Sequence, residues 1–560
     1  MQNAKQSYWI EFVPKSWHFL KNYSLNLFKS DLIAGITVGV VALPLAMAFS
    51  IAAGLSPESG LYTAIIAGFL ISLLGGSRLQ IGGPTGAFVV IIYDIVQRHG
   101  YDGLVITTLI AGMLLLIAAF SRLGSLIKYI PYPVVIGFTT GIAVLIFSSQ
   151  IKDFFGLRIE KMPADFFSIW MAIISALPTW HLPTFALAFG TLALILLIRR
   201  FAPILPWGIT SVVLATAAAW AFKLPIETIA ARFGEIPQTF PLPSLPHLSI
   251  PWQEWHALIP DAITVAFLAG IESLLSALVA DGMAGTRHKS NCELMAQGVA
   301  NISSVLCGGI PATGAIARTA TNIKSGAKTP MAGMIHSATI LLIILTLAPI
   351  VSLIPLASLS AVLIMVAWNM SEADRFRHLF KAPLGDVAIL LTTFFLTVFI
   401  DLTVAIEMGM ILALFLFVKR MSDRTVIISL TALERDYAEK SEEYDLGMLD
   451  RAQLPPGFEV YEITGPFFFG IADSLKNVLS NLEYPPKVFI LHMRKVSMID
   501  ASGMYSLMEF YEKCKIDQTI LLLAGVNDKL LIKLKKFGIL DLIGKEHIFS
   551  NLKSALKFDI

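Results

Sequence analysis

Residues 82–87 read GGPTGA and residues 309–315 read GIPATGA, so the triplet Thr-Gly-Ala recurs after 228 positions. The same displacement separates Pro44 from Glu272. Matching Gly/Pro interruptions in two related halves of an apolar chain are typical of membrane transporters built from internal repeats. We therefore predict two half-helices that begin in the interior of the membrane region. The alternative is that Gly and Pro only mark loops between spans.

The composition places most of the chain in lipid. Of its 560 residues, 56% are hydrophobic and 15% are charged, whereas soluble domains have about 25% charged residues. The net charge of +2 is uninformative about nucleic acid, but no basic run that would bind one is present, so no nucleic-acid partner is expected. The three cysteines show no metal-ligand spacing. No P-loop, HExxH or GxSxG motif occurs. We therefore expect neither an enzyme nor a bound cofactor or metal, and any transport must draw on a gradient.

Apolar stretches of membrane-helix type recur from about Leu32 to Val418. We count fourteen, several of them shorter than the ~20 residues of a full span; they start near Leu32, Ser59, Thr85, Leu104, Val134, Leu182, Gly208, Ala262, Leu294, Ala315, Met334, Ser358, Asp386 and Thr403. With this count most Lys and Arg residues fall in alternate loops, which predicts that both termini are cytoplasmic. The loop with Lys152, Arg158 and Lys161 is an exception. Twelve spans, also an even number, are the alternative.

Three segments flank or follow the membrane region. Residues 1–30, where aromatic residues alternate with lysines, are expected to form a cytoplasmic segment at the membrane surface, with a disordered tail as the alternative. The transmembrane domain is then predicted over 31–424. Residues 425–457 are charged and contain proline, and we expect them to form a linker.

Residues 458–560 are predicted to form a small α/β domain, because short apolar runs alternate there with amphipathic stretches and the segment is too polar to span a membrane. The predicted strands are Val460–Ile463, Val488–His492 and Ile520–Ala524, and the predicted helices are Gly503–Lys515 and Asp528–Lys536.

The two Gly/Pro interruptions also predict where a ligand binds. The start of a helix leaves backbone N–H groups without acceptors and carries the positive end of the helix dipole. Such an end binds anions. Two half-helix starts that face each other would therefore form an anion pocket with little formal charge.

The chain resembles the sulfate permease (SulP) family of anion transporters. Residues 31–37 (DLIAGIT), followed by 42–44 (ALP), are similar to the first-helix signature of that family, and 499–503 (IDASG) are similar to the strand-to-helix turn of the STAS (sulfate transporter and anti-sigma factor antagonist) domain. Within the family, the chain is most similar to the bacterial C4-dicarboxylate transporter branch, on the motifs QIKDF at 150–154, GIESLL at 270–275, DGM at 281–283 and AWNMSE at 367–372.

The resemblance implies a polytopic α-helical fold of two inverted seven-helix repeats, in which a core domain moves against a gate domain. It also implies a cytoplasmic STAS domain at residues 458–560. A homodimer in the lipid of the bacterial inner (plasma) membrane is implied as well. The STAS domain is expected to bind a cytoplasmic protein partner that the sequence does not name.

Glu272 is the strongest candidate for coupling transport to protons. It lies in an otherwise apolar helix, where an ionised carboxylate is costly and a functional role is the default hypothesis. A neutral carboxyl group would admit an anion beside it, which is the logic of proton–anion symport. The alternative is a structural carboxylate that accepts hydrogen bonds from the facing half-helix. Family members that use sodium have Asp here with a nearby hydroxyl, which Ser276 could supply, so sodium coupling stays open.

Arg318 follows the second half-helix start by one turn, and the resemblance implies that it lies beside the anion. The alternative is that it pairs with Glu272 and neutralises it. The other predicted substrate-binding residues are the half-helix starts and a wall on the first helix: Thr85, Gly86, Ala87, Thr313, Gly314, Ala315, Pro44, Leu45 and Phe49. Many family members have Gln in place of Leu45. The apolar residue favours a hydrocarbon-bearing anion such as fumarate or succinate over sulfate.

Ser502 and Asp500 are candidate regulatory residues. Ser502 resembles the residue that is phosphorylated in bacterial anti-sigma factor antagonists, and Asp500 fits a supporting role. The alternative for this pair is an unmodified helix cap.

These features together predict a secondary active transporter that takes up a small anion with protons by alternating access. The candidate anions are a C4-dicarboxylate, sulfate and bicarbonate. An uncoupled anion exchanger or channel is one alternative with the same architecture, and a sodium-coupled bicarbonate symporter is another. A signalling scaffold is disfavoured, because an anchor does not need so many spans or paired half-helices.

Overall fold

The computed structural model describes residues 11–20, 23–125, 131–159, 162–163, 165–202, 205–243, 251–423, 425–430, 454–468, 475, 478, 482 and 484–559. The chain divides into two compact units, Met1–Ala413 and Leu414–Ile560. Several predictions fall outside the described residues, namely those on residues 1–10, on most of the linker, and on Lys161 in the exceptional loop.

The first unit is α-helical and contains two short strands at the predicted interruptions. Its first half contains α1 (Lys15–Leu20), α2 (Leu25–Ala52), α3 (Pro57–Leu74), β1 (Gly82–Gly83), α4 (Val89–Phe120), α5 (Tyr132–Phe155), α6 (Phe166–Ala176), α7 (Leu182–Phe201), α8 (Trp207–Ala221) and α9 (Ile229–Phe233). Its second half contains α10 (Ile259–Ala284), α11 (Ser290–Leu306), β2 (Thr313–Gly314), α12 (Ile316–Lys324), α13 (Met331–Val351), α14 (Leu356–Met370), α15 (Ala373–Leu379) and α16 (Leu384–Phe399), followed by α17 (Leu402–Asp423).

The predicted starts of the apolar stretches lie within a few residues of the observed helix starts, except for the first one, predicted near Leu32. Helix α4 accounts for two of them, because Gly100 has a φ of 69° and divides it. Among the described residues, nine helices are long and apolar enough to cross a membrane, and three apolar helices are shorter. The structure thus has the expected multi-pass helical architecture, while the number of fourteen crossings stays a prediction.

Two boundaries in the first unit differ from the sequence-based expectation. The first long helix begins at Leu25 rather than near Leu32, because the Ser24 side chain caps it by accepting a hydrogen bond from the Leu27 N–H at 3.3 Å. The end of the segment expected at the membrane surface therefore belongs to α2. Helix α6 was not predicted; Asp165 caps it by accepting from the Ser168 N–H at 2.9 Å.

The two halves of the first unit intertwine into two groups of helices. In the core group, α10 and α11 pack on α4, and α13 packs on α2 and α3. In the gate group, α14 and α16 pack on α5, and α14 also packs on α7. Gly112 and Gly298 let α4 and α11 approach closely, since a Cβ added to Gly298 would lie 2.8 Å from the Gly112 carbonyl oxygen.

Asp31, the first residue of the quoted signature, fastens α2 to the turn before α13. Its buried carboxylate accepts hydrogen bonds from the backbone N–H groups of Lys328 (2.7 Å) and Thr329 (3.0 Å) and from the Tyr23 hydroxyl (3.0 Å). Asp31 therefore has a structural role.

The second unit is an α/β domain with a five-stranded sheet in the order β3-β4-β5-β6-β7. The strands are β3 (Val426–Ser429), β4 (Phe458–Thr464), β5 (Val488–His492), β6 (Ile520–Ala524) and β7 (Ile548–Phe549), and the helices are α18 (Ala501–Ile516), α19 (Asp528–Phe537), α20 (Ile539–Ile543) and α21 (Leu552–Ala555). Strand β3 is antiparallel to β4, and the other pairs are parallel. All three predicted strands and both predicted helices are present, with ends shifted by at most two residues.

The predicted linker contains an element of this sheet. Val426–Ser429 was expected to lie in the linker, but it forms the edge strand β3, in register with Tyr461–Thr464. The run is only four residues long and the sequence after it is highly charged, so the strand carries too weak a periodic signal to be recognised.

Candidate functional site

The two Gly/Pro interruptions meet in the structure. Strands β1 and β2 pair antiparallel, with Gly82 opposite Gly314 and Gly83 opposite Thr313. Helical structure begins directly after each strand, with Thr85 as the N-cap on one side and Ala315 on the other. The Gly and Pro residues therefore do more than mark loops between spans, because the two interruptions pair with each other and each is followed by a helix start.

Both half-helix starts present free backbone donors. Within the described part of the chain, the N–H groups of Gly86, Ala87, Ile316 and Ala317 have no hydrogen-bond acceptor. The Ala315 N–H, which was predicted to be a ligand donor, instead donates to the Ile81 carbonyl at 2.8 Å. The free donors of the second start therefore lie one residue further on than predicted, because the β1–β2 pairing uses the Ala315 amide.

Buried polar side chains hold the segment before β2 in place. The Thr63 hydroxyl accepts from the Ile310 N–H at 2.7 Å. The Asn301 amide donates to the Ala312 carbonyl at 2.9 Å and accepts from the Ala312 N–H at 2.8 Å. The second half-helix start is thus positioned by α3 and α11.

A second buried network positions α10 beside β1. The buried Glu293 carboxylate accepts from the backbone N–H groups of residues 76 and 77 at 3.0 and 3.1 Å, and from the Ser273 hydroxyl at 3.0 Å. The Gln80 amide donates to the same hydroxyl at 2.9 Å. Sequence reasoning missed this network, although Glu293 is a second carboxylate in an apolar stretch and could have been noticed on that ground.

Glu272 projects from α10 toward the first half-helix start. Its carboxylate accepts a hydrogen bond of 2.9 Å from the Thr85 hydroxyl, and its side chain is partly exposed to a cavity. A charged carboxylate in a region of low dielectric constant costs free energy, and uptake of a proton removes that cost. The geometry therefore suits a carboxyl group that changes its protonation state beside a ligand.

Arg318 lies on α12 behind β1 and is 4% exposed. Its Nη2 donates to the Pro84 carbonyl oxygen, while its Nη1 has no partner within the described residues. No ion pair joins Arg318 to Glu272 within 4.0 Å in the described structure. This geometry does not support the alternative in which the two side chains neutralise each other by direct contact.

The space between the half-helix starts and the gate group is an open cavity, called here the Glu272 cavity. Its volume is about 290 Å³, whereas one water molecule occupies roughly 30 Å³ in the liquid. The predicted site residues that line it are Leu45, Phe49, Thr85, Gly86, Ala87, Glu272, Gly314, Ala315 and Arg318. The cavity is thus large enough for a small anion with some of its hydration water.

Three predicted site residues do not line this cavity. Pro44 is buried within α2. The Ser276 hydroxyl is fully buried 3.1 Å from the Thr319 hydroxyl, and the Thr313 hydroxyl donates to the Ala269 carbonyl at 2.8 Å. All three were predicted from their spacing along a helix or repeat, which does not determine the direction of a side chain.

The gate group and α8, which packs on α7 and α14, supply lining residues that were not predicted as ligands. These are Thr139 on α5, Trp207 on α8, and Val366, Asn369, Met370 and Glu372 in and after α14. The motif at 367–372 was noted only as a family resemblance. Asn369 is held in place by a 3.3 Å hydrogen bond from Arg199. Glu372 adopts a left-handed conformation with a φ of 41° and accepts from Arg375 at 2.6 Å. The gate wall is therefore polar at this end.

The candidate regulatory residues lie at the start of α18 in the second unit. The Asp500 side chain caps the helix by accepting from the Gly503 N–H at 2.8 Å. Ser502 lies within the first turn and is exposed. The capping role thus belongs to Asp500, and phosphorylation of Ser502 stays a prediction.

Comparison with known proteins agrees with this architecture. Residues 28–393 match the sulfate permease family, and residues 451–555 match the STAS domain. The chain is 41% identical over 533 residues to the putative sulfate transporter YvdB of Bacillus subtilis (strain 168), covering 95% of this chain and 98% of that protein. It is 30% identical over 466 residues to the bicarbonate transporter BicA of Picosynechococcus sp., covering 80% of each protein.

A solved structure shows the same fold at low sequence identity. The murine Solute Carrier 26 family member A9 anion transporter, in an inward-facing state, matches with a TM-score of 0.86 over 98% of this chain and 94% of that one, at 18% identity. None of these relatives bears the name of a C4-dicarboxylate transporter, so placement in that branch is not confirmed. The extent of the family match over the membrane unit shows that the chain belongs to the sulfate permease family of anion transporters and carries a C-terminal STAS domain.

Proposed function

We propose that this protein is a secondary active transporter that takes up a small anion together with protons by alternating access. The observation that carries the proposal is the contact between Glu272 and Thr85 at the meeting point of the two half-helix starts. A titratable carboxyl group, free backbone donors and a buried guanidinium group border one open cavity. We infer a transporter rather than an enzyme.

The coupling follows from charge compensation. With Glu272 protonated, the half-helix dipoles and Arg318 face an anion without a competing negative charge. After the anion leaves, Glu272 releases its proton and remains hydrogen-bonded to Thr85. Because the empty site then holds Glu272 and Arg318 with opposite charges, its return across the membrane does not move a net charge from these two groups.

The anion is one of three candidates: a C4-dicarboxylate, sulfate or bicarbonate. The names of the two relatives favour sulfate and bicarbonate. The apolar lining by Leu45, Phe49, Trp207 and Val366 favours an anion with a hydrocarbon part. A parallel test of all three anions is therefore required.

Uncoupled exchange or channel conduction by the same site is the main alternative. In that case Glu272 would be a structural acceptor for Thr85, and conduction would continue without proton movement. Sodium coupling through Ser276 receives no support from its position, because that hydroxyl is buried against Thr319 and does not line the cavity.

We also propose where the protein is located and how it assembles. We place the protein in a bacterial inner membrane with both termini cytoplasmic, on the strength of the charge asymmetry between loops. We further propose a homodimer with a cytoplasmic protein partner for the STAS domain, as the family resemblance implies.

Uptake into proteoliposomes tests the proposal. Radiolabelled succinate, sulfate and bicarbonate are offered in parallel, with an inward proton gradient imposed or abolished. We expect one of them to accumulate only with the gradient. Accumulation that requires sodium instead, or equilibration that ignores both gradients, would overturn the proposed coupling.

A further inference from the structure

We propose that a second anion-binding site lies at the far end of the transport path, with Lys152 as its cation. This inference rests on the anion transport proposed above and adds a site that the anion meets before it reaches Glu272. Lys152 lines a second cavity, called here the Lys152 cavity, whose volume is about 250 Å³.

The Lys152 cavity continues the Glu272 cavity along the same three helices. On each helix, the residues that line the Lys152 cavity follow those that line the Glu272 cavity in the chain. The lining passes from Phe49 to Ala52 on α2, from Ala87 at the helix start to Val90 in α4, and from Thr139 to Ser149 on α5. Two cavities in the same order along three separate helices are successive parts of one path.

An apolar constriction separates the two cavities. A Cβ added to Gly86 would lie 3.3 Å from the Phe49 ring and 3.6 Å from Ile146 Cδ1. Phe49 is 5% exposed and Ile146 is fully buried. Side chains from the core and gate groups thus meet at the first half-helix start, where separation of the groups would open the path.

Lys152 supplies the charge of the proposed site. Its ammonium group donates to the Ile159 carbonyl, and no carboxylate lies within 4.0 Å of it in the described part of the chain. The neighbouring Arg232 adds no free positive charge, because it pairs with two carboxylates, Asp153 at 2.9 Å and Glu227. These three groups together carry one negative charge, which the positive charges of Lys152 and Arg158 exceed. A half-buried ammonium group without a carboxylate partner attracts anions more strongly than a paired one.

Lys152 is also placed to receive anions from solution. It lines a third, wider cavity of about 820 Å³ together with Arg158 and His181. Lys152 is thirteen residues from Thr139, or about 20 Å along α5. The predicted loop that was the exception to the charge asymmetry therefore provides the positive charge of Lys152 at the entrance of the path, at the end away from the Glu272 cavity.

The first experiment measures initial uptake of the transported anion by intact cells at low and high ionic strength. For Lys152→Gln we expect KM to rise by about three- to tenfold at low ionic strength, with kcat retained, and the difference to shrink at high salt. Lys152→Arg should restore the wild-type KM. Lys223→Gln is the matched control, because Lys223 is exposed in a loop and lines neither cavity.

A second experiment does not depend on transport. Ser149→Cys places a thiol in the Lys152 cavity, and the native cysteines, Cys292, Cys307 and Cys514, are buried. In the full-length protein, an anionic thiol reagent should modify Cys at position 149 about three- to tenfold faster with Lys152 than with Gln at 152, and a cationic reagent should show the reverse.

The outcomes separate the two proposals. If each reagent modifies Cys at position 149 at the same rate with Lys as with Gln at position 152, or if KM is unchanged in Lys152→Gln, the second site is overturned while transport by wild type still stands. Absence of transport in wild type, with the reagent difference intact, would instead count against the proposed function.

Discussion

The Thr85 hydroxyl donates a hydrogen bond of 2.9 Å to the Glu272 carboxylate, so the first half-helix start is joined directly to the long helix that opens the second repeat. The two residues are 187 positions apart in the chain. A hydrogen bond from the Thr85 hydroxyl to an ionised Glu272 carboxylate is stronger than one to a neutral carboxyl group. We propose that this contact links proton binding to the geometry of the anion site.

Removal of the Thr85 hydroxyl should impair transport without unfolding the protein. Thr85→Val keeps the shape of the side chain but deletes a hydrogen bond to a charged group, which is worth about 1.5–3 kcal/mol. We expect the initial uptake rate to fall by about tenfold or more. Thr346→Val is the control, because within the described residues that exposed hydroxyl donates only to the Leu342 carbonyl of its own helix. An unchanged rate in Thr85→Val would mean that this contact has no part in coupling.

A methyl group at Gly83 should displace Arg318. Gly83 has a φ of 146°, and a Cβ added to it would lie 2.7 Å from the Arg318 Nη1. We expect Gly83→Ala to weaken anion binding by about tenfold, because a buried guanidinium group contributes about that much when it is correctly oriented. Binding is measured as ligand-induced thermal stabilisation of the purified protein.

The control for this substitution is Gly326→Ala, because Gly326 also has a positive φ (94°), whereas among the described residues nothing lies within 4 Å of an added methyl group. Equal anion stabilisation of Gly83→Ala and wild type would show that Arg318 does not contribute to the site.

Much of this arrangement could be predicted from the sequence, and the remainder has identifiable physical causes. The repeat located both half-helix starts, because Gly and Pro interrupt the apolar pattern at the same place in the two halves. Helical spacing alone could not show that the Ser276 side chain points away from the cavity. Asn369 and Glu372 were missed as lining residues, because the gate wall depends on how α14 packs against α5. The edge strand β3 was missed because it is too short to show a period.

The stability of the STAS unit should depend on pH through a buried ion cluster. Glu462 is 4% exposed, and its carboxylate lies 2.9 Å from His492 Nδ1 and 3.0 Å from Lys495 Nζ. Burial raises the pKa of the Glu462 carboxyl, but its contact with His492 and its ion pair with Lys495 outweigh burial and hold that pKa below the usual 4.5. The folded state is therefore stabilised above pH 4.5, and this stabilisation is lost as the pH falls through the lowered pKa.

Hydrogen–deuterium exchange of β4 and β5 in the full-length protein measures this effect. At neutral pH we expect these strands to exchange faster in Glu462→Gln than in wild type, with the difference shrinking below about pH 4.5. Glu512→Gln, on the exposed face of α18, is the control at each pH. A difference that stays the same down to pH 3 would exclude ionised Glu462 as its source.

The central claim is that Glu272 carries the coupled proton, and simultaneous measurement of proton and anion flux tests it most directly. Proteoliposomes with an internal pH-sensitive dye receive the radiolabelled anion that wild type transports, for wild type and for Glu272→Gln. We expect wild type to move protons with the anion, and Glu272→Gln to lose gradient-driven accumulation and anion-dependent proton flux. Glu272→Gln keeps an amide oxygen that can accept from Thr85, so the site retains its shape. Proton flux that continues with the anion in Glu272→Gln would contradict the claim.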